Sequence, residues 1–391
     1  MSEQANSRIT ILYVTSDFGV GGTEFLLVKL LRGLDRKRFH PIVACFRRRG
    51  PLLNEVLSLD VEVVEFDIPK RLTAPCQFFR LVRFMRRRKV HIVHAMIGST
   101  KVYAALAGWL AGVPVLICSR LNMGYWAGPF GRWVVDFLMR RVYHGIIVNS
   151  RMIRDDLVAG SRVPKEKIRI VYNGVDIALF SAPVDIPAKK ADLGIPDGRL
   201  VFGTVATLRP IKGLHILLEA ARIVLEKHPQ AYFVIVGDGP CRGELETLAE
   251  SLGIHERVTF CGSRSDISEI LAVFDVFVLS SLSEGLPNTV CEALARGVPV
   301  VAANVGGVGE AVLDGHTGLL VPPNDARALA ESALSLTSES MREAMGAQGR
   351  RLAREKFSLD GMIENIEEVY EYHLKKLAEE NIKAVERRRS V

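Results

Sequence analysis

The chain has 391 residues and an apolar content of 48%, enough for two domains of ordinary size with a core each. The formal net charge of +7 is unevenly divided, since residues 1–178 carry 28 Lys plus Arg against 14 Asp plus Glu, a net of +14, and the remainder carries −7. The six cysteines show no CxxC spacing, so neither a zinc site nor a disulfide framework is indicated, and the basic first half indicates an anionic surface or acceptor.

The apolar stretches of the sequence bear on where the protein acts. Residues 1–8 are polar and the apolar run after them is short, so no signal peptide is expected. The most apolar long stretch, 102–118, is interrupted by Gly108, Gly112 and Pro114, whereas a membrane span needs about 20 continuous apolar residues. We therefore expect a cytoplasmic protein, at most peripheral on the inner face of a membrane.

The first half alternates β-branched apolar runs with helical patterns, which predicts a doubly wound parallel sheet. The predicted strands are 9–15, 41–46, 61–66, 91–95, 114–119, 145–149 and 168–172. A Gly-rich loop precedes a helix predicted over 24–34. This loop is not a dinucleotide-binding motif, because Glu24 replaces the third glycine and the arginines of 47–49 stand where an acid is expected.

A basic amphipathic helix is predicted over 76–89. Its apolar face carries Phe78, Phe79, Val82 and Met85, and arginines with one lysine occupy the remainder. An ordinary sheet-covering helix with a solvated face has the same pattern. The alternative is docking on anionic lipid headgroups, where each basic residue contributes about 1 kcal/mol.

The second half repeats the architecture without repeating the sequence. Residues 176–198 contain three prolines and mixed charges, which is typical of an inter-domain linker. The strands predicted after it are 200–204, 232–236, 258–261, 276–279, 298–303 and 318–322. We therefore expect two Rossmann-like domains that face each other across a cleft.

The stretch 280–301 predicts a ligand site. It is a loop and a short helix between two buried strands, with Asn288 as the helix N-cap and Gly297 as its left-handed C-terminal residue. Ligands of parallel sheets bind beyond the carboxyl ends of the strands. The free N–H groups at Thr289 and Val290 favour an anion, such as a phosphate.

Charged side chains surround this predicted anion site. Glu284 and Glu292 can each accept two hydrogen bonds from the hydroxyls of a sugar or ribose, although two such glutamates could also only complement the helix dipole. Arg209 and Lys212 follow another strand, just before a helix begins. Two cations there suit a diphosphate, and a solvated pair is the alternative.

The string Glu284-Gly-Leu-Pro-Asn-Thr-Val-Cys-Glu292 resembles the Glu-x7-Glu signature of retaining glycosyltransferases of family four, the group 1 enzymes. Other matching motifs are Gly21-Gly22-x-Glu24, Asn173-Gly174-Val175-Asp176, Arg209 with Lys212-Gly213, and Gly306-Gly307-x-x-Glu310. The resemblance covers roughly residues 9–360. It implies an α/β protein of the GT-B fold with an acceptor domain over 1–178, a nucleotide-sugar domain over 179–357, and a helix over 358–377 that crosses back to the first domain, ending in a charged, frayed tail.

The resemblance also implies an activity. It implies transfer of a hexose, with retention, from a nucleotide-diphosphate sugar to a glycan, lipid-linked or polysaccharide acceptor, as in polysaccharide or lipopolysaccharide biosynthesis, without a metal or other cofactor. Glu284 would orient the donor sugar, and Arg209 with Lys212 would stabilise the leaving diphosphate, as fixed cations do in electrostatic catalysis.

Further site residues follow from the matching motifs. The donor-binding set is Glu292 (on the ribose hydroxyls), Asn288, Thr289, Leu286, Gly285, Gly237, Ser263 and Arg264. The acceptor-side set, on the predicted cleft, is Gly21, Gly22, Glu24, His94, Arg120 and Asn122. Many family members have a histidine where this chain has Arg120 and Asn122, so Arg120 either binds an anionic group of the acceptor or is structural.

Several other functions remain as alternatives. A catalytically inactive sugar-nucleotide-binding relative would share every motif. A sugar-nucleotide epimerase has the same fold, but Glu-x7-Glu together with Arg209 and Lys212 disfavours it. A phosphorylase-like enzyme would need pyridoxal phosphate on a lysine. The acidic second half disfavours nucleic-acid binding, which would be strongly salt-dependent.

Overall fold

The structure is a computed structural model that describes residues 8–19, 21–68, 75–98, 100–121 and 128–389. Two compact units divide the chain. The first consists of Met1–Gly174 with Leu359–Val391, and the second of Val175–Ser358. The boundary between Gly174 and Val175 lies close to the 178 expected from the sequence.

Among the described residues, seven parallel strands form the sheet of the first unit, and they coincide with the predicted apolar runs to within a few residues. They are β1 Ile9–Thr15, β2 Phe39–Cys45, β3 Glu62–Glu65, β4 Ile92–Ala95, β5 Val115–Arg120, β6 Gly145–Val148 and β7 Ile168–Ile170. The order across the sheet is β3-β2-β1-β4-β5-β6-β7. The winding direction therefore reverses between β1 and β4, and both faces of the sheet are covered, as the continuous apolar strands require.

Helices cover the two faces of this sheet in separate groups. The helices are α1 Gly22–Gly33, α2 Leu53–Ser58, α3 Pro75–Arg87, α4 Thr100–Ala111, α5 Pro129–Arg141, α6 Arg151–Ala159 and the last helix, α16 Leu359–Arg389. One core cluster includes side chains of α3, α4, α5 and α6. The other includes side chains of α1 and α16. Helices α3, α4 and α5 therefore lie on the same face.

The last helix is part of the first unit and is longer than predicted. Ile363 and Tyr370 are buried in the core, and the Glu367 carboxylate accepts hydrogen bonds from the Asp35 backbone N–H (2.8 Å) and from Nη1 of Arg38 (3.1 Å). The expectation of a frayed tail is not met over residues 379–389, where the helix continues to Arg389, and the last two residues lie outside the described range. No helix among the described residues is long and apolar enough to cross a membrane.

The second unit has a six-stranded parallel sheet of the same winding. Its strands are β8 Leu200–Val205, β9 Ala231–Val236, β10 Val258–Phe260, β11 Val276–Leu279, β12 Val300–Ala303 and β13 Gly318–Val321. The order is β10-β9-β8-β11-β12-β13, so the reversal falls between β8 and β11. Ligands of such sheets bind at this reversal, beyond the carboxyl ends of the two strands.

The second unit contains nine α-helices among the described residues, and two of them lie in the segment that was predicted to be a linker. They are α7 Ile177–Ser181, α8 Ile186–Asp192, α9 Leu214–Lys227, α10 Arg242–Ser251, α11 Ile267–Leu271, α12 Asn288–Arg296, α13 Val308–Ala311, α14 Ala326–Ser335 and α15 Glu339–Lys356. The segment 176–198 thus folds into α7 and α8 within this unit. Nη1 of Arg296 donates to the carbonyls of Phe180 (3.1 Å) and Ala182 (2.6 Å), which fixes α7 against α12.

Candidate functional site

The loops after β8 and β11 meet where the strand order of the second unit reverses. The backbone N–H of Leu282 donates to the carbonyl of Ile211 (2.8 Å), and the Ser280 hydroxyl donates to the carbonyl of Lys212 (3.1 Å). Gly213 has φ +58°, and a Cβ there would lie 2.2 Å from the Ser280 carbonyl oxygen. Only glycine allows this close approach, which brings the two predicted site loops together.

Lys212 and Glu284 form a half-buried ion pair between these loops. The Lys212 Nζ lies 2.6 Å from Oε1 of Glu284, and the two side chains are 23% and 10% exposed. The Ser281 hydroxyl donates to the same oxygen at 2.6 Å. Two donors thus fix the carboxylate, and among the described residues Oε2 keeps its capacity to accept hydrogen bonds from a ligand.

A glycine turn supports the Glu284 loop from the other side. Gly306 has φ +59°, and a Cβ there would lie 1.9 Å from the Glu284 carbonyl oxygen. The Gly307 N–H donates to the carbonyl of Gly285 at 2.7 Å. The matched Gly-Gly motif therefore holds the loop that carries Glu284.

Helix α12 begins one residue earlier than an Asn288 cap would place it. Asn288 is the first helical residue, and Pro287 occupies the cap position without a side-chain cap bond. The prediction that Asn288 is the N-cap is therefore wrong. The N–H groups of the first turn still lack acceptors within the helix and carry partial positive charge, while the predicted left-handed Gly297 is confirmed (φ +86°). Glu292 lies half-buried in the second turn.

Arg209 belongs to the same loop as Lys212 but has a different environment. Its side chain is exposed, and its guanidinium has no hydrogen-bond partner among the described residues. Leu208 next to it is fully buried, which anchors the loop. The loop therefore presents one solvent-facing cation and one that pairs with Glu284.

Gly237, Ser263 and Arg264 lie at the ends of β9 and β10. The Gly237 N–H donates to the carbonyl of Gly262 (2.8 Å), and its φ of +130° favours glycine. Ser263 is exposed. Arg264 donates to Asp266 and, at 2.7 Å, to Asp192 of α8, and these partners raise the pKa of its guanidinium above the usual value. Arg264 therefore has acidic partners already in place.

The Gly-rich loop of the first unit lies between β1 and α1. Gly21 precedes the helix in an extended conformation, and a Cβ there would lie 2.5 Å from Oε2 of Glu24. Glycine at this position lets the Glu24 side chain fold back over the helix start. Partial burial raises the pKa of the Glu24 carboxyl, and Gly22 is exposed beside it.

His94 does not face open space, so the prediction that it lines a cleft is wrong. The side chain is buried, with Nδ1 2.7 Å from the Tyr370 hydroxyl and Nε2 2.8 Å from the Ser119 hydroxyl. Burial lowers the pKa of His94 to about 3, so the ring is neutral. Its function is to join β4, β5 and the last helix.

Arg120 has a structural role, which was one of the two interpretations that the sequence left open. It is buried, and its Nη2 lies 2.8 Å from Oδ2 of Asp156 on α6. The Asp156 carboxylate thus pairs with the guanidinium that one of the two sequence interpretations assigned to an anionic group of the acceptor. Asn122, the other candidate at this position, lies outside the described residues.

Ser281 orients Glu284 and was not among the predicted site residues. The spacing Ser281-x-x-Glu284 is that of a Ser/Thr and Glu pair in a capping box, and this signal could have identified it. Metal-ligand spacing gave no candidate. Across the described ranges no group of three or more His, Cys, Asp or Glu side chains is arranged to hold a metal ion.

The fold and the second-unit site define a two-unit α/β protein with a fixed carboxylate and cations at the strand ends where the sheet order reverses. Two family models match the chain: glycosyl transferases group 1 over residues 185–352, and glycosyltransferase family 4 over residues 20–179. The chain belongs to this family of glycosyltransferases. The predicted resemblance and enzyme class are confirmed.

Relatives with known names agree with this assignment. EpsF of Bacillus subtilis (strain 168), provisionally named as a glycosyltransferase, is 32% identical over 76% of this chain and 80% of its own. The UDP-Gal:alpha-D-GlcNAc-diphosphoundecaprenol alpha-1,3-galactosyltransferase of Escherichia coli is 25% identical over 94% of this chain and 98% of its own. The crystal structure of Anabaena HepE with UDP-glucose superimposes with a TM-score of 0.82 at 25% identity, over 93% of this chain and 99% of that one. The GT-B fold is confirmed.

Proposed function

We propose that this glycosyltransferase transfers a hexose from a UDP-sugar to a lipid-linked or polysaccharide acceptor, with retention and without a metal ion. The observation that carries the proposal is the Lys212–Glu284 pair with Ser281, at the point where the strand order of the second unit reverses. The UDP donor is suggested by the E. coli relative, whose name gives UDP-Gal, and by HepE, whose structure contains UDP-glucose.

In the proposed complex, the donor diphosphate lies between the β8 loop and the start of α12. Arg209 is exposed there, Lys212 is within the same loop, and the first-turn N–H groups of α12 supply further donors. When the diphosphate binds, Lys212 exchanges part of its contact with Glu284 for a phosphate oxygen. Oε2 of Glu284 accepts from a sugar hydroxyl, and Glu292 accepts from the ribose hydroxyls.

The reaction proposed for this arrangement needs no protein nucleophile. The bond from the anomeric carbon to the leaving phosphate oxygen breaks, and the acceptor oxygen bonds to the same face of the sugar. The departing phosphate oxygen takes the acceptor proton, so UDP leaves. The fixed cations lower the barrier because they offset negative charge that develops on the diphosphate, an effect that is often worth about 10² to 10³ in rate for one donor.

The acceptor and the location are proposed from charge and from the relatives. Residues 1–178 carry a net charge of +14, which suits an acceptor with phosphate groups. The E. coli relative is named for a GlcNAc-diphosphoundecaprenol acceptor, which is lipid-linked. We therefore place the enzyme in the cytoplasm at the inner face of the membrane, in polysaccharide or lipopolysaccharide assembly.

A donor panel tests this function. Purified protein is mixed with UDP-, GDP- and ADP-sugars, with and without EDTA, and binding is scored by thermal shift and slow donor hydrolysis by nuclear magnetic resonance. We expect one UDP-sugar to bind and hydrolyse equally well in EDTA, with the α-anomer of the sugar released first, and Glu292→Ala to lose both. Binding without hydrolysis or transfer would indicate an inactive relative, and conversion of the nucleotide sugar to an epimer would indicate an epimerase.

A further inference from the structure

A row of large aromatic side chains lies exposed along helix α5 of the first unit. Phe130, Trp133 and Phe137 are 76%, 59% and 44% exposed. They occupy positions i, i+3 and i+7, so they project from one side of the helix. Their rings are stacked, with centroids 6.1 and 6.0 Å apart. The three rings form one continuous apolar stripe.

Helix α4 extends this stripe into a surface. Leu106, Trp109 and Leu110 are exposed on one side of α4, with Trp109 at 70%. Helix α4 packs against both α3 and α5 on the same face of the sheet. We call the exposed side chains of α4 and α5 together the aromatic face.

The core of the unit does not need the aromatic face. The opposite sides of the two helices already supply buried residues to the core, including Ala104 and Ala107 of α4 and Val135 and Leu138 of α5. A contiguous exposed apolar patch on a soluble domain marks a binding surface. The aromatic face therefore calls for a partner outside this unit.

Basic side chains surround the aromatic face. Helices α3, α4 and α5 contain seven arginines, one buried lysine (Lys101) and one acidic residue, Asp136, which pairs with Arg132 at 3.8 Å. Arg86 of α3 donates to the Leu110 carbonyl at 2.6 Å, so this arginine reaches the end of α4. Arg140 and Arg141 follow Phe137 in the last turn of α5. The partner must therefore match both an apolar interior and a dense negative charge.

We propose that the aromatic face docks on an anionic phospholipid bilayer. The tryptophans lie at the level of the headgroups, where their amphipathic rings are favoured, and the arginines contact lipid phosphates. The sequence pointed instead to helix α3, whose exposed large apolar side chain is Phe79. The proposal concerns a lipid surface and does not depend on the donor chemistry of the second unit.

Vesicle binding tests the proposal directly. The probes are vesicles of phosphatidylcholine alone and of an equimolar mixture with phosphatidylglycerol, with binding measured by flotation. The mixed vesicles should bind the full chain, and brominated lipid should quench its tryptophan fluorescence. Because two large apolar side chains no longer enter the bilayer, the double variant Trp133→Ser/Phe137→Ser should weaken binding more than about tenfold. The matched control is Leu179→Ser, an exposed leucine of the second unit that should bind as wild type.

A second pair of variants tests the charge. Arg140→Glu/Arg141→Glu should abolish the preference for phosphatidylglycerol, whereas Arg327→Glu/Arg351→Glu, at exposed sites of the second unit, should retain it. Donor hydrolysis in solution should be unchanged in the serine double variant, which separates this proposal from the proposed function. Wild-type protein that ignores mixed vesicles, serine variants that bind them normally, or a dimer in solution that the serine variants dissociate would each overturn the proposal.

Discussion

Glu284 shows how single residues prepare the site before a ligand arrives. Ser281 and Lys212 both donate to Oε1, so the carboxylate has one orientation. The Ser281 hydroxyl helps to fix this orientation although it carries no charge. A neutral hydrogen bond of this kind contributes about 1 kcal/mol, and its larger effect is on where Oε2 points. Ser281 is therefore a positioning residue for the proposed sugar contact.

Ser281→Ala should lower kcat several-fold with little change in KM, because the donor still binds while its sugar is held less firmly. Ser283→Ala is the matched control, since Ser283 lies in the same loop and has no hydrogen-bonding side-chain partner among the described residues. Steady-state transfer kinetics on both variants check this. Equal kinetics for Ser281→Ala and wild type would exclude a positioning role.

His94 predicts a pH dependence of stability. Its pKa is about 3 in the folded protein and about 6.5 in the unfolded chain. Between these values the unfolded chain binds a proton that the folded one does not, so the unfolding free energy should fall by about 1.4 kcal/mol for each pH unit of acidification. Above pH 6.5 His94 is neutral in both the folded and the unfolded chain, so its protonation no longer lowers the unfolding free energy.

Denaturant titrations at several pH values between about 4 and 6, an interval of about two pH units within this window, measure the slope. In the variant His94→Gln, the unfolding free energy should depend less steeply on pH, because unfolding takes up close to one proton fewer. His373, whose pKa burial lowers to about 4, contributes to both proteins and so cancels from the comparison. Parallel curves for the two proteins would contradict the account of His94.

At the scale of elements, the glycine turn before α13 supports the Glu284 loop. Gly306→Ala forces a left-handed residue and places a Cβ 1.9 Å from the Glu284 carbonyl, so the loop must move. Donor binding should be lost while the first unit melts as in wild type. Gly243→Ala on α10, where a Cβ meets nothing within 4 Å, is the control. Calorimetric titration with the donor measures the difference, and normal binding to Gly306→Ala would show that the turn is not required.

Local signals predicted the elements well and the tertiary contacts poorly. The strands are buried apolar runs, so their positions follow from a few adjacent residues. His94 was misplaced because its burial depends on Tyr370, 276 residues further on. The segment 176–198 was misassigned because α7 and α8 are held by distant partners: Arg296 for α7 and, for α8, Asp266, which pairs with Lys189 at 2.8 Å. The Glu284 and Lys212 loops meet because both follow strands that flank the reversal of strand order.

At the scale of the whole molecule, the first unit is completed by the last segment of the chain. Helix α16 buries Met362, Ile363, Ile366 and Tyr370 in the core of that unit. At about 1.5–3 kcal/mol for each side chain, their removal would match the whole stability of a typical domain. A chain that ends at residue 358 should therefore fail to fold its first unit.

A chain that ends at Ala378 is the control, because residues 378–383 of the last helix are exposed. Limited proteolysis and two-step thermal unfolding should show a protected second unit, 175–358, in both truncated chains. The first unit should be protected only in the longer one. Protection of the first unit in the chain ending at 358 would contradict the contribution assigned to α16.

The measurement that tests the central claim most directly is sugar transfer by Lys212→Ala. Wild type, Lys212→Ala and Arg222→Ala, an exposed arginine on α9, are compared with the UDP-sugar selected from the donor panel and a lipid-linked acceptor. The account predicts that Lys212→Ala loses at least about 10²-fold in kcat while its melting temperature stays near that of wild type, and that Arg222→Ala is unaffected. Undiminished transfer by a folded Lys212→Ala protein would contradict the placement of the donor diphosphate between the β8 and β11 loops.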